Sequence, residues 1–140
     1  MRSPQVSVVV QSLTLFVERI IKKIALDITA NLVRAPSEGG TPVDTGWARA
    51  NWIPRIGEPV SGPVGTREQA EAGNVNTAEQ GAGVVSVAAT YKLEQGKVYV
   101  SNAVPYIVNL NEGSSRQAPA GFIQANVEKA VRVDLPAGFR

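Results

Sequence analysis

Apolar residues recur at spacings of three and four from Val6 through Val10, Leu13, Val17, Ile20, Ile24 and Ile28 to Leu32, the pattern of one continuous helical stripe. Glu18, Arg19, Lys22, Lys23 and Asp27 fall mostly off that stripe. Pro36 ends it, because a proline disfavours helical backbone in the residue before it. Ser3-Pro4 predicts the start, with Ser3 as cap and Pro4 in the first helical position, where a missing N–H costs nothing. Such a helix would run about 45 Å at 1.5 Å per residue. Its first reading is a core helix. The alternative is that part of the stripe packs on another subunit, because one small sheet cannot cover that length.

Residues 37–42 form a loop by composition, and Asp44 or Thr45 is placed to cap a short helix over residues 46–51. Residues 52–56 read as a strand, and Pro54, which cannot donate to a ladder, predicts an edge or bulged strand. Residues 57–83 are rich in Gly, Pro and Asn and predict a long, functional or mobile connection. Within them, residues 66–72 can make a helical turn or two. Thr77-Ala78-Glu79-Gln80 has the form of a capping box that opens a helix with Val84, Ala88 and Tyr91 on one face. Gly81, Gly83 and the β-branched Val84, Val85 and Val87 argue against that helix.

Gly96-Lys97 signals a turn, and residues 98–101 alternate as a half-buried strand. Pro105 starts a short helix in which Tyr106 and Leu110 share a face, ended by Gly113. Residues 114–118 are a polar loop. Pro119 starts a last helix carrying Ile123, Val127 and Val131, with Phe122 and Ala130 beside them, and Asp134-Leu135-Pro136 closes it. The expected fold is one α+β domain over residues 1–140. Its long N-terminal helix and its C-terminal helix pack on a small, mainly antiparallel sheet, and its central loop is long and flexible.

Composition narrows the chemistry. The chain has neither Cys nor His, which removes disulfides, thiolate and imidazole metal ligands, and Ser-His or Cys-His catalysis. No cofactor or metal is expected. A net charge of +2 without a run of five like charges gives no block for nucleic acid. No uninterrupted apolar run is long enough to span a membrane. Ser7, Gln11, Ser12 and Thr14 interrupt the apolar stretch after Arg2, and no small-residue cleavage site precedes Glu18, so a signal peptide is not expected.

Asp44-Thr45-Gly46 is also the signature triplet of aspartic proteases, in which two carboxylates share a proton. That site needs the triplet on a loop leaving an apolar strand in an all-β fold. Here Thr41-Pro42 precedes it and helix-favouring Trp47-Ala48-Arg49-Ala50 follows, so capping is the default. Glu112 with Glu94, or Asp27 with Glu18, can be paired into glycosidase-like dyads, but no spacing requires it. Gly113-Ser114-Ser115-Arg116 has the donors for an anion. Trp47, Trp52, Tyr91, Tyr99 and Tyr106 with Arg49 make a stacking surface for nucleic acid conceivable, although core packing explains them more simply.

Two separated segments then combine. Residues 41–52, Thr-Pro-Val-Asp-Thr-Gly-Trp-Ala-Arg-Ala-Asn-Trp, resemble the Pro-Val-Asp-Thr-Gly-x-Leu-Arg-x-Ser-Trp box of tail-completion and head–tail joining proteins of long-tailed bacteriophages, the minor tail protein Z-like neck proteins. Residues 100–106 and 110–122 look like the second box of that family. There an Asn-x-x-Pro-Tyr segment, here Asn102 to Pro105 and Tyr106, runs into a Leu-Asn-x-Gly turn, here Leu110-Asn111-Glu112-Gly113, and then to Pro119 and Phe122. The order of elements also matches, with most of residues 57–83 left out. Trp47 and Ala48 depart from the pattern, standing where a polar residue and Leu are common.

The resemblance implies a structural, non-enzymatic virion protein of the neck, assembled in the host cytoplasm into a ring, commonly sixfold. The expected partners are the tail terminator, the tail tube and a head-closure or adaptor protein, with DNA in the lumen met without sequence specificity. It also implies that the N-terminal helix and the strand over residues 52–56 contribute to subunit contacts. Residues 57–83 would order against a neighbour, and Arg49 would pair with an acid there or across the interface. Asn111-Glu112-Gly113 would set the turn that docks the last helix. A nucleic-acid-binding module is the alternative of a different class, and a small homodimeric aspartic protease a remote one.

Overall fold

The computed structural model describes residues 4–132. Ser3, and Asp134-Leu135-Pro136 as the close of the last helix, lie outside them. The chain is helix-rich α+β: α1 (Pro4–Val33), α2 (Trp47–Ala50), β1 (Ile53–Ile56), α3 (Arg67–Glu71), α4 (Ala78–Thr90), β2 (Val98–Ser101), α5 (Ile107–Asn111) and α6 (Phe122–Val131). The two strands pair antiparallel, with Ile53 opposite Ser101 and Ile56 opposite Val98.

The apolar stripe of α1 has two fates. In the C-terminal half Ala25, Thr29 and Leu32 are buried, and Ile28 packs against the central cluster. In the N-terminal half the stripe is more open: Leu13 is 45% exposed and Val17 37%, while Val10 is half-buried. The core-helix expectation therefore describes only half of α1. Between the halves, Glu18 is buried, and its carboxylate accepts the Leu93 N–H at 2.9 Å, at the start of a 3₁₀ turn. Burial raises the pKa of the neighbouring Tyr91 phenol, and the Glu18 charge raises it further. The Tyr91 hydroxyl donates to the Gly96 carbonyl at 2.7 Å.

Thr41 closes α1. Its N–H and its hydroxyl both donate to the Leu32 carbonyl, at 3.0 and 2.7 Å, which satisfies an acceptor that the helix end leaves open. The same hydroxyl accepts the indole N–H of Trp52 at 2.8 Å. One buried side chain thus ties the helix end to the residue that enters β1.

Gly57 N–H bonds the Lys97 carbonyl just beyond the strands, and this fixes the alternation of the ladder. Pro54 falls at a position whose N and C=O point away from β2, so its missing N–H costs no ladder bond. The edge-strand expectation holds, but that edge is not open. α4 lies against it, close enough that a Cβ on Gly83 would sit 2.4 Å from the Pro54 carbonyl oxygen. The expected subunit contact through β1 has no free edge to use there.

α4 forms despite its glycines, and the Thr77–Gln80 capping box does not. Asn76 Oδ1 accepts the Ala78 N–H at 2.9 Å instead, and the Gln80 amide donates to the Arg49 and Trp52 carbonyls at 2.9 and 3.0 Å. Residues 57–83 are also not the long loose loop expected from composition. Buried Asn51 accepts from Val64 N–H at 2.6 Å, and the Val64 carbonyl takes the Trp47 indole N–H at 2.9 Å. Val60 N–H bonds Ser101 Oγ, and α3 carries a full capping box between Thr66 and Gln69 with Ala70 buried beneath.

α6 starts three residues after Pro119, at Phe122, and packs along α1. Its buried face is Phe122, Asn126 and Ala130, whereas Val131 is exposed. The reason is polar. The Asn126 amide donates to the Gly39 and Phe122 carbonyls, both at 2.8 Å, while its own carbonyl lies 3.4 Å from the Asn31 amide as acceptor.

Candidate interaction groove

The two motif segments face each other across an open groove of about 850 Å³. Pro42, Val43, Asp44, Thr45, Gly46 and Ala48 line one side. Tyr106, Asn109, Leu110 and residues 112–117 line the other, with Arg67 and Glu71 of α3 at the margin. Two polar side chains and an aromatic pair hold these walls. Gln117 reads the Val43 backbone as a strand neighbour would, accepting its N–H at 2.8 Å and donating to its carbonyl at 2.9 Å, 74 residues away in the chain. Asn102 donates to the Ala48 carbonyl at 2.8 Å and accepts the Val104 N–H at 3.0 Å. The Trp47 and Tyr106 rings meet at 5.9 Å with a 58° tilt, in the range where aromatic pairs attract.

Of the two expected acceptors for α2, Thr45 serves and Asp44 does not. The residue before α2 is Gly46, in the left-handed region at φ 87°, and no side chain caps from that position. Thr45 Oγ1 accepts the Trp47 N–H at 3.3 Å, whereas Asp44 is exposed and accepts no hydrogen bond among the described residues. Its carboxylate faces the groove, where it raises the pKa of Tyr106. Burial is the main cause of that raised phenol, and Arg67 opposes it. Irregular chain over residues 41–43, not an apolar strand, leads into the Asp-Thr-Gly triplet, which is itself a bend, so the strand-loop setting of an aspartic protease is missing.

α6 receives its side-chain acceptor from the other motif segment, at Asn111. Its Oδ1 accepts the Ile123 N–H at 3.0 Å, its amide donates to Gln124 Oε1 at 2.9 Å, and its backbone carbonyl takes the Gly121 N–H at 2.7 Å. Gly113 turns the chain beside it at φ 96°, packed on Ala120. Asn111→Ala should therefore lower stability by about 1 kcal/mol as a lost helix-start acceptor, and Asp44→Ala should change it by less than about 0.5 kcal/mol. Urea unfolding of both variants checks the pair.

The remaining expected positions separate. Trp47, Trp52 and Phe122 belong to the core behind the groove. Arg49 makes no ion pair among the described residues, which leaves a partner across an interface as its expected acid, and it contributes its backbone carbonyl to Gln80. Pro105 and Pro119 are exposed ahead of α5 and α6, and Glu112 lies on the groove rim. Asn126 escaped the sequence reading, and Asn51, Asn102 and Gln117 stood in the motif segments without a role of their own, because a polar side chain that bonds distant backbone leaves no local pattern. Arg67 and Glu71 pair at 3.0 Å on the margin, and no cluster of three potential metal ligands occurs among the described residues. Comparisons with protein-family models, curated proteins and solved structures return no match.

Proposed function

We propose that this chain is a structural protein of a bacteriophage neck, a tail-completion or head–tail joining protein that works as a ring. One observation carries the reading. The two segments that resemble the family's boxes lie far apart in sequence but form the two walls of one groove, bound by Gln117–Val43 and Asn102–Ala48. Such a clasp suits a surface that must keep its shape.

A ring needs two different faces on each subunit, one received by the next copy. The groove is the receiving face in this reading, and a segment of a neighbouring copy or neck protein enters it. Asp44, Glu112 and Arg116 line it without an ion pair among the described residues, so they remain available for a partner's charges. Among the described residues no helix is long and apolar enough to cross a membrane.

The test is complementation of a phage deleted for this gene. Deletion should leave filled heads and finished tails unjoined, or tails without a stable head-proximal end. Wild-type protein should restore particles, and a folded Glu112→Lys/Arg116→Glu double variant should restore at least tenfold fewer. Normal particle yield from the deletion, or full rescue by the charge-reversed variant, would count against the reading and against the groove respectively.

A further inference from the structure

The fold itself makes no use of the Asp44 carboxylate. It is exposed, accepts no hydrogen bond from a described residue, and does not serve α2, whose acceptor is Thr45. It joins no ion pair among the described residues, and neither do Glu112 and Arg116 on the facing wall. At the margin Arg67 and Glu71 answer each other at 3.0 Å. Two carboxylates against one guanidinium are therefore left for whatever enters the groove, in a chain whose net charge is +2. The groove is acidic against the sign of the whole molecule.

We infer that the segment received by the groove presents an arginine, whose guanidinium pairs with Asp44 beside the Tyr106 ring. This rests on the reading of the groove as a receiving face. A guanidinium offers two parallel donors to the two oxygens of a carboxylate and is also attracted to an aromatic ring. Tyr106 lines the groove, half-buried and set against Trp47. Burial is the larger cause of its raised phenol pKa, but the Asp44 charge contributes, so carboxylate and ring are neighbours. A groove of about 850 Å³ has room for several residues of a partner. The Val43 backbone is already taken by Gln117, so side chains and not an added strand carry the recognition. A metal ion fits less well, since no cluster of three potential ligands occurs among the described residues. Nucleic acid fits less well too, because its phosphates would meet Asp44 and Glu112.

Nuclear magnetic resonance titration of the isolated full chain tests this with three probes: acetyl-arginine amide, acetyl-citrulline amide, which has nearly the same shape without the charge, and acetyl-glutamate amide. The arginine probe should shift the backbone amides of Asp44, Thr45 and Tyr106 and bind about fivefold or more tightly than the citrulline probe, the effect of one exposed ion pair. Asp44→Asn should bring arginine down to the citrulline level while the rest of the spectrum stays that of the parent. Glu128→Gln, which removes an exposed acid of α6 outside the groove, should change arginine binding by less than about 1.5-fold. Equal binding of arginine and citrulline, tighter binding of the glutamate probe, an Asp44→Asn protein that still prefers arginine, or groove shifts produced by a single-stranded oligonucleotide would overturn the site. The titration needs no phage. Rescue of particles by wild-type protein together with no arginine preference would sink this site alone and leave the neck reading standing.

Discussion

Gly40→Ala should prevent the chain from folding stably, the largest single-methyl effect expected in this protein. A Cβ on Gly40 would lie 1.8 Å from the Arg34 carbonyl oxygen and 2.6 Å from its carbon, both backbone atoms that cannot rotate away. Retreat is blocked on both sides. Gly40 N–H is bonded to the Ala35 carbonyl at 3.1 Å, and the next residue, Thr41, holds the Leu32 carbonyl through two bonds. Moving Gly40 out of contact would break the closure of α1 and pull Thr41 from the Trp52 indole. The expected cost is more than about 4 kcal/mol, comparable with the whole stability of a small domain. Circular dichroism of the purified variant measures it. A loss below about 1 kcal/mol would mean that this joint is far looser than described.

Gly83→Ala comes next, with Gly81→Ala as its control. Both replacements favour the helix by about 1 kcal/mol on propensity alone, since glycine loses more backbone freedom than alanine. Nothing lies within 4 Å of a Cβ on Gly81, so that variant should be more stable than the parent by up to about 1 kcal/mol. On Gly83 the methyl meets the Pro54 carbonyl at 2.4 Å and the Pro54 ring at 3.2 Å. Either α4 shifts outward, losing the Gln80 bonds and the burial of Val87, or β1 bends. A net loss of about 3 kcal/mol follows from overpacking of this kind. Urea unfolding of the two variants should therefore give changes of opposite sign. Equal effects would show that α4 does not press on β1.

The same two glycines show where the sequence was legible and where it was not. Helical and strand periods are local, so α1 from Pro4, β1, β2 and the short helix ended by Gly113 could be read from spacing and turn residues. Gly81 and Gly83 argued against α4 because propensity counts glycine only as a loss. The gain at Gly83 comes from a strand some thirty positions earlier, which no window of the sequence contains. Gln80 misled for the same reason: its spacing from Thr77 fits a capping box, but the Arg49 and Trp52 carbonyls offered it two partners. In α6 the aliphatic pattern pointed to Ile123, Val127 and Val131, and the buried face turned toward Asn126 because its amide bonds two backbone carbonyls while its backbone carbonyl accepts the Asn31 amide.

The groove divides in the same way. Its two walls were visible as motif segments, and Asp44, Thr45, Tyr106 and Glu112 do line it. Asp44 and Thr45 were both candidates for the cap, and with Gly46 left-handed it is Thr45 that reaches the helix start. Gln117 fastens the walls across 74 residues, a relation that only the fold creates. The Asp-Thr-Gly triplet thereby becomes part of a rim.

Cryo-electron microscopy of intact particles, with this chain located by fitting its fold into the density, tests the neck reading most directly. The account predicts a ring of copies at the head-proximal end of the tail, with each groove filled by a segment of a neighbouring subunit or neck protein. Particles that lack the chain, or density for it elsewhere with the groove empty, would contradict it.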